Sequence, residues 1–579
     1  MEAAKWRKKI IETDLLVIGG GAAGCYAAVT ARREDPKLDV TVIEKAHIER
    51  SGCLAAGINA INAYLNPGET PESYLHYVKN DSYGLVRDDL VYSIGRGLNK
   101  VTREVEDWGL KILKNEDGNY LKRSSRSIKI EGENFKEVLA AEVERSGVRI
   151  LNKTAALNYI QKDGRVCGAF ALNLREDKFY VIKAKAVICA TGGAAGIYEP
   201  NNSGQAQHKM WYPPFNTGAG YAMGIRAGAE MTTFEMRFVA LRVKDVIAPT
   251  GSFAFAGGRQ VNDLGEEYLK KYNRITTAMR LYATVRENKE GRGPCYLDLG
   301  HLETEKKEKL AESLLGMCPG IVLKWEDKQA DLSELKVEIE GTEPYIVGGH
   351  CQSGYWIGLD RSTSLPGLFA AGDVAGGAPK KYVTGAFVEG EIAAKSAVRE
   401  IKELPQNFLD LNISELITNE YQRLKSVLDN SEGPGASDLE ESLQQLMENY
   451  AGGRSQYYEL EALKLKQARS KLKELKAESK KVKADSLRDF LAVQELLERI
   501  DVAEVLIEHL LYREETRWPA YQSRIDFPER KKEWRKFVNS RRNLASGEVE
   551  IIEREYKSLE EYSAFADRSQ EDFYLEYNL

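Results

Sequence analysis

The chain has 579 residues, room for three or four domains, and its 82 basic against 88 acidic residues leave a net charge of −6. That balance gives no electrostatic reason to expect a nucleic-acid partner, which needs a basic stripe, and 43% hydrophobic with 29% charged residues excludes a disordered chain. No apolar run approaches the roughly 18 to 20 residues of a membrane helix, and Met1–Lys9 has signal-peptide charges without an apolar stretch or cleavage site, so the expectation is a cytoplasmic protein that does not span a membrane.

The first clear element is a short apolar strand, Thr13 to Ile18, which opens into the glycine-rich turn Gly19-Gly20-Gly21-Ala22-Ala23-Gly24. Small, helix-favouring residues follow through Val29, so a helix starts at that turn. A second apolar run, Val40 to Ile43, ends at Glu44, and Lys45 follows it. Strand, helix, strand and terminal acid together make a dinucleotide-binding βαβ unit with Gly19, Gly21 and Gly24 on the GxGxxG pattern. Gly19 permits the turn, Gly21 lets backbone amides approach a pyrophosphate, and Gly24 lets the helix pack close to the strand. Ala22 and Ala23 keep the helix N-terminus open, where free N–H groups and a positive dipole end meet phosphate. Glu44 is placed to accept both hydroxyls of an adenosine ribose.

Two later strand-and-turn segments repeat the theme. Ala186 to Cys189 opens into Ala190-Thr191-Gly192-Gly193, and Leu368-Phe369-Ala370-Ala371 opens into Gly372-Asp373. Their separation predicts one nucleotide-binding domain interrupted by an insertion and resumed near residue 345. From about 406 the composition changes. Between Gly435 and Pro519 there is no proline, and Lys464 to Lys483 is dense in Lys, Glu, Leu and Ala, which predicts long solvated helices. The seven cysteines include no pair at CxxC spacing, so the chain is not expected to hold an iron–sulfur cluster or structural zinc by itself.

Flavoprotein oxidoreductases carry ATGG and GLFAAGD segments like those at 190–193 and 367–373, and the aspartate of the second usually meets the ribityl or pyrophosphate part of FAD. With the glycine-rich start, Glu44-Lys45, Arg50-Ser51-Gly52, Asn59-Ala60-Ile61-Asn62 and Asn216-Thr217-Gly218, nearly the whole chain resembles one superfamily. It comprises the flavoprotein subunits of succinate dehydrogenase, fumarate reductase, L-aspartate oxidase and adenylylsulfate reductase. The resemblance implies an α/β fold: a Rossmann-like FAD-binding domain (1–238 and 345–410) interrupted by an α+β capping domain (239–344), followed by a C-terminal helical domain (411–579). Ser51-Gly52-Cys53 stands where succinate dehydrogenase tethers FAD through a histidine, which implies noncovalent FAD.

The substrate side separates the subfamilies. The C4-dicarboxylate enzymes carry an HPT histidine after a strand like Met231 to Val239 and another histidine just before an MGG turn. Here the first region runs Phe234 to Arg242 without histidine, and His350 follows Gly348-Gly349 rather than preceding it. Their arginine before the Glu-Gly-Arg-Gly segment is also displaced, with Arg280 nearby. By contrast, Met210-Trp211-Tyr212-Pro213-Pro214-Phe215-Asn216-Thr217-Gly218, Ala229 to Glu235, Gly57 to Leu65 and Arg517-Trp518-Pro519 are similar to the adenylylsulfate reductase α subunit. That resemblance implies interconversion of adenylylsulfate with sulfite and AMP through a flavin N5–sulfite adduct. It also implies electrons from a ferredoxin-like β subunit bearing two [4Fe–4S] clusters. Within it, Arg242 supplies fixed charge to the sulfuryl group, and His350 a hydrogen bond or proton. Asn62 sits by the flavin edge, Trp211 stacks near the isoalloxazine, and Phe238 walls the pocket. Arg292 is a candidate for the AMP phosphate and Glu133 for flavin support. The competing readings are a soluble fumarate reductase or succinate dehydrogenase, an L-aspartate oxidase, and a non-enzymatic flavin-binding assembly subunit.

Overall fold

The computed structural model describes residues 6–173, 175–200, 210–244, 246, 248–315, 318–327, 335–430 and 432–562. Its central sheet is mixed and seven-stranded. In spatial order it runs Arg149–Leu151, Val40–Ile43, Arg7–Ile18 and Lys178–Cys189, then the antiparallel strands Arg165–Asn173 and Thr154–Lys162. Leu368–Ala370 adds parallel to the far end of Lys178–Cys189, on Val187 to Cys189. The strand Lys178–Cys189 is therefore the hub, since its first half pairs with Arg165–Asn173 and its last three residues with the returning chain.

The first strand begins earlier than its apolar run implies. Arg7 to Thr13 is mostly exposed and polar, yet it is drawn into the sheet because it pairs in register with Lys178 to Ala184. The helix Ala22–Glu34 follows the glycine-rich turn as expected, burying Ala23 through Ala31 against the helix Tyr382–Glu403. Gly24 is required there by contact: a Cβ would stand 1.9 Å from the carbonyl oxygen of Gly19. Gly19 itself has φ of +102°, a backbone that side-chain-bearing residues rarely adopt.

The insertion builds its own antiparallel sheet, ordered Leu241–Val243, Lys336–Gly341, Cys295–Asp298 and Arg259–Val261. The helices Thr250–Ala256 and Thr277–Lys289 cover it, Thr304–Leu315 packs on the first of them, and Phe253, Leu281, Leu297 and Ile339 form its core. The segment 231–239 departs from the expected strand. Met231–Thr232 is paired, the chain turns at Thr233, where φ is +53°, and pairing returns only as a single antiparallel bridge from Phe238 to Tyr345.

C-terminal to residue 411 the chain forms the helices Ser414–Asp429, Ala436–Tyr450, Ala462–Glu478 and Leu487–Tyr512. Ala462–Glu478 buries Leu465, Ala468, Leu472 and Leu475, one stripe at helical spacing beneath an otherwise charged surface. The region is not helical throughout. Lys536–Arg542 and Val549–Glu555 form a hairpin, and the first of these pairs with Met231–Thr232, which in turn pairs with Gly354–Tyr355. The end of the chain is thus sewn into the middle.

Gly24→Ala should force the helix Ala22–Glu34 off its strand. Overpacking of this kind costs about 1–3 kcal/mol, so we expect a lower thermal midpoint and reduced retention of a bound dinucleotide. An unchanged midpoint together with full retention would show that the turn tolerates the methyl group.

Candidate functional site

Parallel strands end on one edge, and the turns leaving them meet there. Gly19 N–H donates to the Ile43 carbonyl at 2.9 Å, Ala190 N–H to Ile18 at 2.8 Å, and Ala371 N–H to Cys189 at 3.0 Å. This ladder brings the three small-residue turns side by side along a cavity of about 1120 Å³. Gly19, Gly21, Ala22, Ala23, Glu44, Lys45, Ser51, Gly52, Asn62, Ala190, Thr191, Gly192, Trp211, Gly372 and Asp373 all line it. Gly24 does not, since it acts in packing behind the turn.

These residues fit FAD on several observations. The helix Ala22–Glu34 has no side-chain cap and no acid in its first turn, so its leading N–H groups face the cavity uncompensated. The Ser51 hydroxyl is buried without a partner. Glu44 is fixed by accepting from Gly20 N–H and Ala46 N–H, both at 2.8 Å, which leaves a lone pair on each oxygen for ribose hydroxyls. Asp373 accepts from the Tyr212 hydroxyl at 2.9 Å, and that hydroxyl accepts from Gly193 N–H at 2.7 Å. Burial pushes the Asp373 carboxyl up, while Tyr212 and Lys381 pull it down. At the other end of the cleft Lys45 pairs with Glu495 of the helix Leu487–Tyr512 at 2.9 Å, so the C-terminal region closes the nucleotide end.

The remaining predicted residues form one cluster. Arg242, on the strand Leu241–Val243, holds its guanidinium 4.9 Å above the Trp211 ring. Its Nη1 donates to the Leu241 carbonyl at 3.1 Å, and its Nε is buried without a partner. Burial pushes this guanidinium down to about 10, so it stays cationic at neutral pH, and no ion pair is seen for it among the described residues. His350 stands edge-on to Trp211 at 4.9 Å and packs on Phe238 at 4.6 Å. Burial, Arg242 and Lys380 push its imidazole down to about 3. It is therefore neutral at pH 7, and its Nδ1 has no protein partner.

Two expected residues lie elsewhere. The Arg292 guanidinium is held by Glu287, at 2.6 Å, and by Glu290, and it does not line the cavity. Glu133 is exposed and away from it. Other lining groups were not anticipated as site residues: Arg123, Arg280, Lys380 and Tyr382. Lys380 and Tyr382 reach the cavity because their backbones are left-handed, with φ of 62° and 51°, and nothing in the residue types announces that.

The comparisons with known proteins follow this geometry. A family model described as an FAD binding domain matches residues 14–386, and one described as the fumarate reductase flavoprotein C-terminus matches residues 440–568. The chain is 30% identical to the adenylylsulfate reductase subunit alpha of Megalodesulfovibrio gigas, covering 94% of this chain and 95% of that one. It is 28% identical to an FAD-dependent oxidoreductase of Methanocaldococcus jannaschii, over 91% of this chain and 95% of the other. The structure of adenylylsulfate reductase from Archaeoglobus fulgidus is 33% identical with a TM-score of 0.91, covering 97% of this chain and 98% of that chain. A structure of adenosine-5-phosphosulfate reductase in complex with sulfite, as a covalent adduct, matches equally. Quinol fumarate reductase of E. coli, at 21% identity and a TM-score of 0.80, shares the fold.

His350 supplies a test of the cluster's electrostatics. Its ordinary value is 6.5 and its folded value about 3, so between those limits the unfolded chain binds a proton that the folded chain refuses. Stability contributed by neutral His350 is complete above pH 6.5 and is lost as the pH falls toward 3. His350→Gln should flatten the acid limb of the thermal midpoint against pH and change little at pH 7.5. An unaltered acid limb would mean that the imidazole is hydrated.

Proposed function

The chain belongs to the adenylylsulfate reductase α-subunit family of FAD-dependent oxidoreductases, in the succinate dehydrogenase and fumarate reductase flavoprotein superfamily, and from that premise we propose that it interconverts adenylylsulfate with sulfite and AMP. The observation that carries the reading is the Arg242–His350 pair. A half-buried guanidinium with no carboxylate partner, its Nε fully buried and unpaired, and an imidazole nitrogen with no partner both open on the cavity that fits FAD. Burying a cation uncompensated is costly, and an anionic ligand is the natural counterpart.

FAD, when bound, supplies an electron-rich ring position and two-electron capacity. Everything else falls to the protein. The first turn of the helix Ala22–Glu34 and the Ser51 hydroxyl hold the pyrophosphate, and Glu44 the adenosine ribose. Arg242 lies against the sulfuryl oxygens and needs no reorganisation as charge builds on them. Neutral His350 donates a ring N–H to the same group. Trp211 and Phe238, 4.7 Å apart, wall the sulfur side and keep water away. Asn62, which also lines the cavity, would stand by the flavin edge. In this proposal a ferredoxin-like subunit carrying [4Fe–4S] clusters delivers the electrons, because no cysteine pair here has cluster spacing. The domains divide at 1–238, 239–344, 345–410 and 411–579, with the insertion lowering Arg242 onto the nucleotide domain. Among the described residues no helix is long and apolar enough to cross a membrane.

The dicarboxylate reading is disfavoured by the lining itself, where His350 is the single histidine among the described residues. Sulfite should bleach the flavin absorbance of the purified protein and AMP should deepen the response, whereas fumarate should not reoxidise the reduced flavin. The reverse pattern would sink the proposal.

Arg242→Ala should keep FAD and solubility while adenylylsulfate turnover falls about 100- to 1,000-fold, the usual cost of losing one preorganised donor. Arg242→Lys should rescue it only partly, because the planar fork is lost. Normal turnover per bound FAD in the alanine variant would make Arg242 structural. With glycine at position 52, acid precipitation should release the flavin into the supernatant, and flavin left on the denatured chain would refute noncovalent binding.

A further inference from the structure

A second cation stands beside His350 and has no part in the scheme above. Lys380 is 93% buried by its 7% exposure, and its ammonium lines the cavity. Its Nζ donates to the Thr277 hydroxyl at 2.9 Å and pairs with Asp81 at 2.5 Å. Thr277 and Asp81 line the same cavity, and Asp81 also accepts from Thr277 N–H at 3.2 Å.

The backbone around Lys380 is forced into place. Lys380 and Tyr382 are both left-handed, a conformation non-glycine residues keep only where their surroundings impose it. The Tyr74 hydroxyl donates to the Lys380 carbonyl at 2.8 Å, and Lys381 N–H donates to Gly349 at 3.1 Å. The buried Lys381 ammonium then grips the carbonyls of Gly372 and Ala375 and the Glu389 carboxylate. These bonds lock residues 380–382 to the loop carrying His350, whose ring meets that of Tyr382 at 5.6 Å.

We propose that Lys380 and Thr277 form a second oxyanion-binding point that holds the phosphate of the substrate nucleotide, and that Asp81 sets its strength by competing for the same lysine. The proposal rests on the reading of the site as one for adenylylsulfate. Such a substrate carries two adjoining anionic centres, sulfuryl and phosphate, and Arg242 answers one of them. Asp81 answers Lys380 while the nucleotide is absent and repels an incoming phosphate, so it weakens AMP binding and favours release of the nucleotide.

The test uses the FAD-loaded protein and titrates AMP, adenosine and sulfite separately, following the first two by calorimetry and the third by flavin bleaching. In Lys380→Met, AMP affinity should fall about 10- to 100-fold, the worth of a charge-assisted hydrogen bond. Adenosine and sulfite affinity should hold, and Lys380→Arg should recover most of the loss. In Asp81→Asn, AMP should bind several-fold tighter. Unchanged AMP affinity in Lys380→Met, an equal loss for adenosine, or a loss confined to sulfite would each overturn the assignment. Should Lys380→Met fail to fold, Asp81→Asn decides, and AMP binding no tighter than in the parent overturns it. A parent protein whose flavin ignores sulfite refutes the functional reading instead, whereas a responsive flavin with Lys380-indifferent AMP affinity refutes this inference alone.

Discussion

The site depends first on four parallel strands ending level with one another. Ile18 lies opposite Ile43 and Cys189, and Cys189 lies opposite Ala370, so the turns that follow are forced into contact along one edge. Hydrogen bonds cross from turn to turn, and a Cβ at Gly19 would come within 2.5 Å of the Ala190 carbonyl oxygen. A slip of one residue in any pairing would carry Glu44, Thr191 or Asp373 to the wrong side of its strand. The nucleotide cleft is thus a consequence of register rather than of any single motif.

Charge governs the other end. Arg123, Arg242, Arg280 and Lys380 line the cavity, and among the described residues only Lys380 has an ion-pair partner, Asp81. Burial lowers the first three, Arg242 to about 10. Cations so placed raise the potential in the cavity, and Arg242 and Lys380 add to burial in holding His350 neutral.

The C-terminal region fixes this geometry from behind. Arg237 is fully buried and donates to the carbonyls of Ala451, Gly452 and Tyr458, which anchors the residue next to Phe238. Glu235 is bound by His509 and Arg513, and Arg513 and Arg517 share Glu515, all essentially without solvent exposure. Glu235 is held below the usual carboxylate range although burial opposes it, because Arg513 and His509 outweigh the burial. Removing one member would strand buried charge, so these pairs tie the helix Leu487–Tyr512 to the segment that carries Phe238. Trp518 and Tyr521 reach the cavity from the same region.

Much of this was legible in the residues. The glycine turn, Glu44, the small-residue turns at 190–193 and 371–373, and the helix-forming composition beyond 411 act through local backbone rules, and local rules survive in a linear sequence. Arg242, His350, Trp211 and Phe238 were reached through family resemblance, and folding was needed to stack them into one cluster. Arg292 was misplaced because a guanidinium near Glu287 and Glu290 takes the nearer carboxylates, a competition that spacing does not reveal. Lys380 and Arg280 were not anticipated as site residues because their approach depends on left-handed backbone and on the insertion folding back over the sheet, and Arg123 because it comes in on a short strand, Lys122–Ser124, paired with Ser127–Gly132. The sequence by itself thus determined which segments bind a dinucleotide, since a turn and a helix end need only neighbours in the chain. Only the tertiary structure decided which cations line the cavity, since charge in a cavity is set by residues hundreds of positions apart.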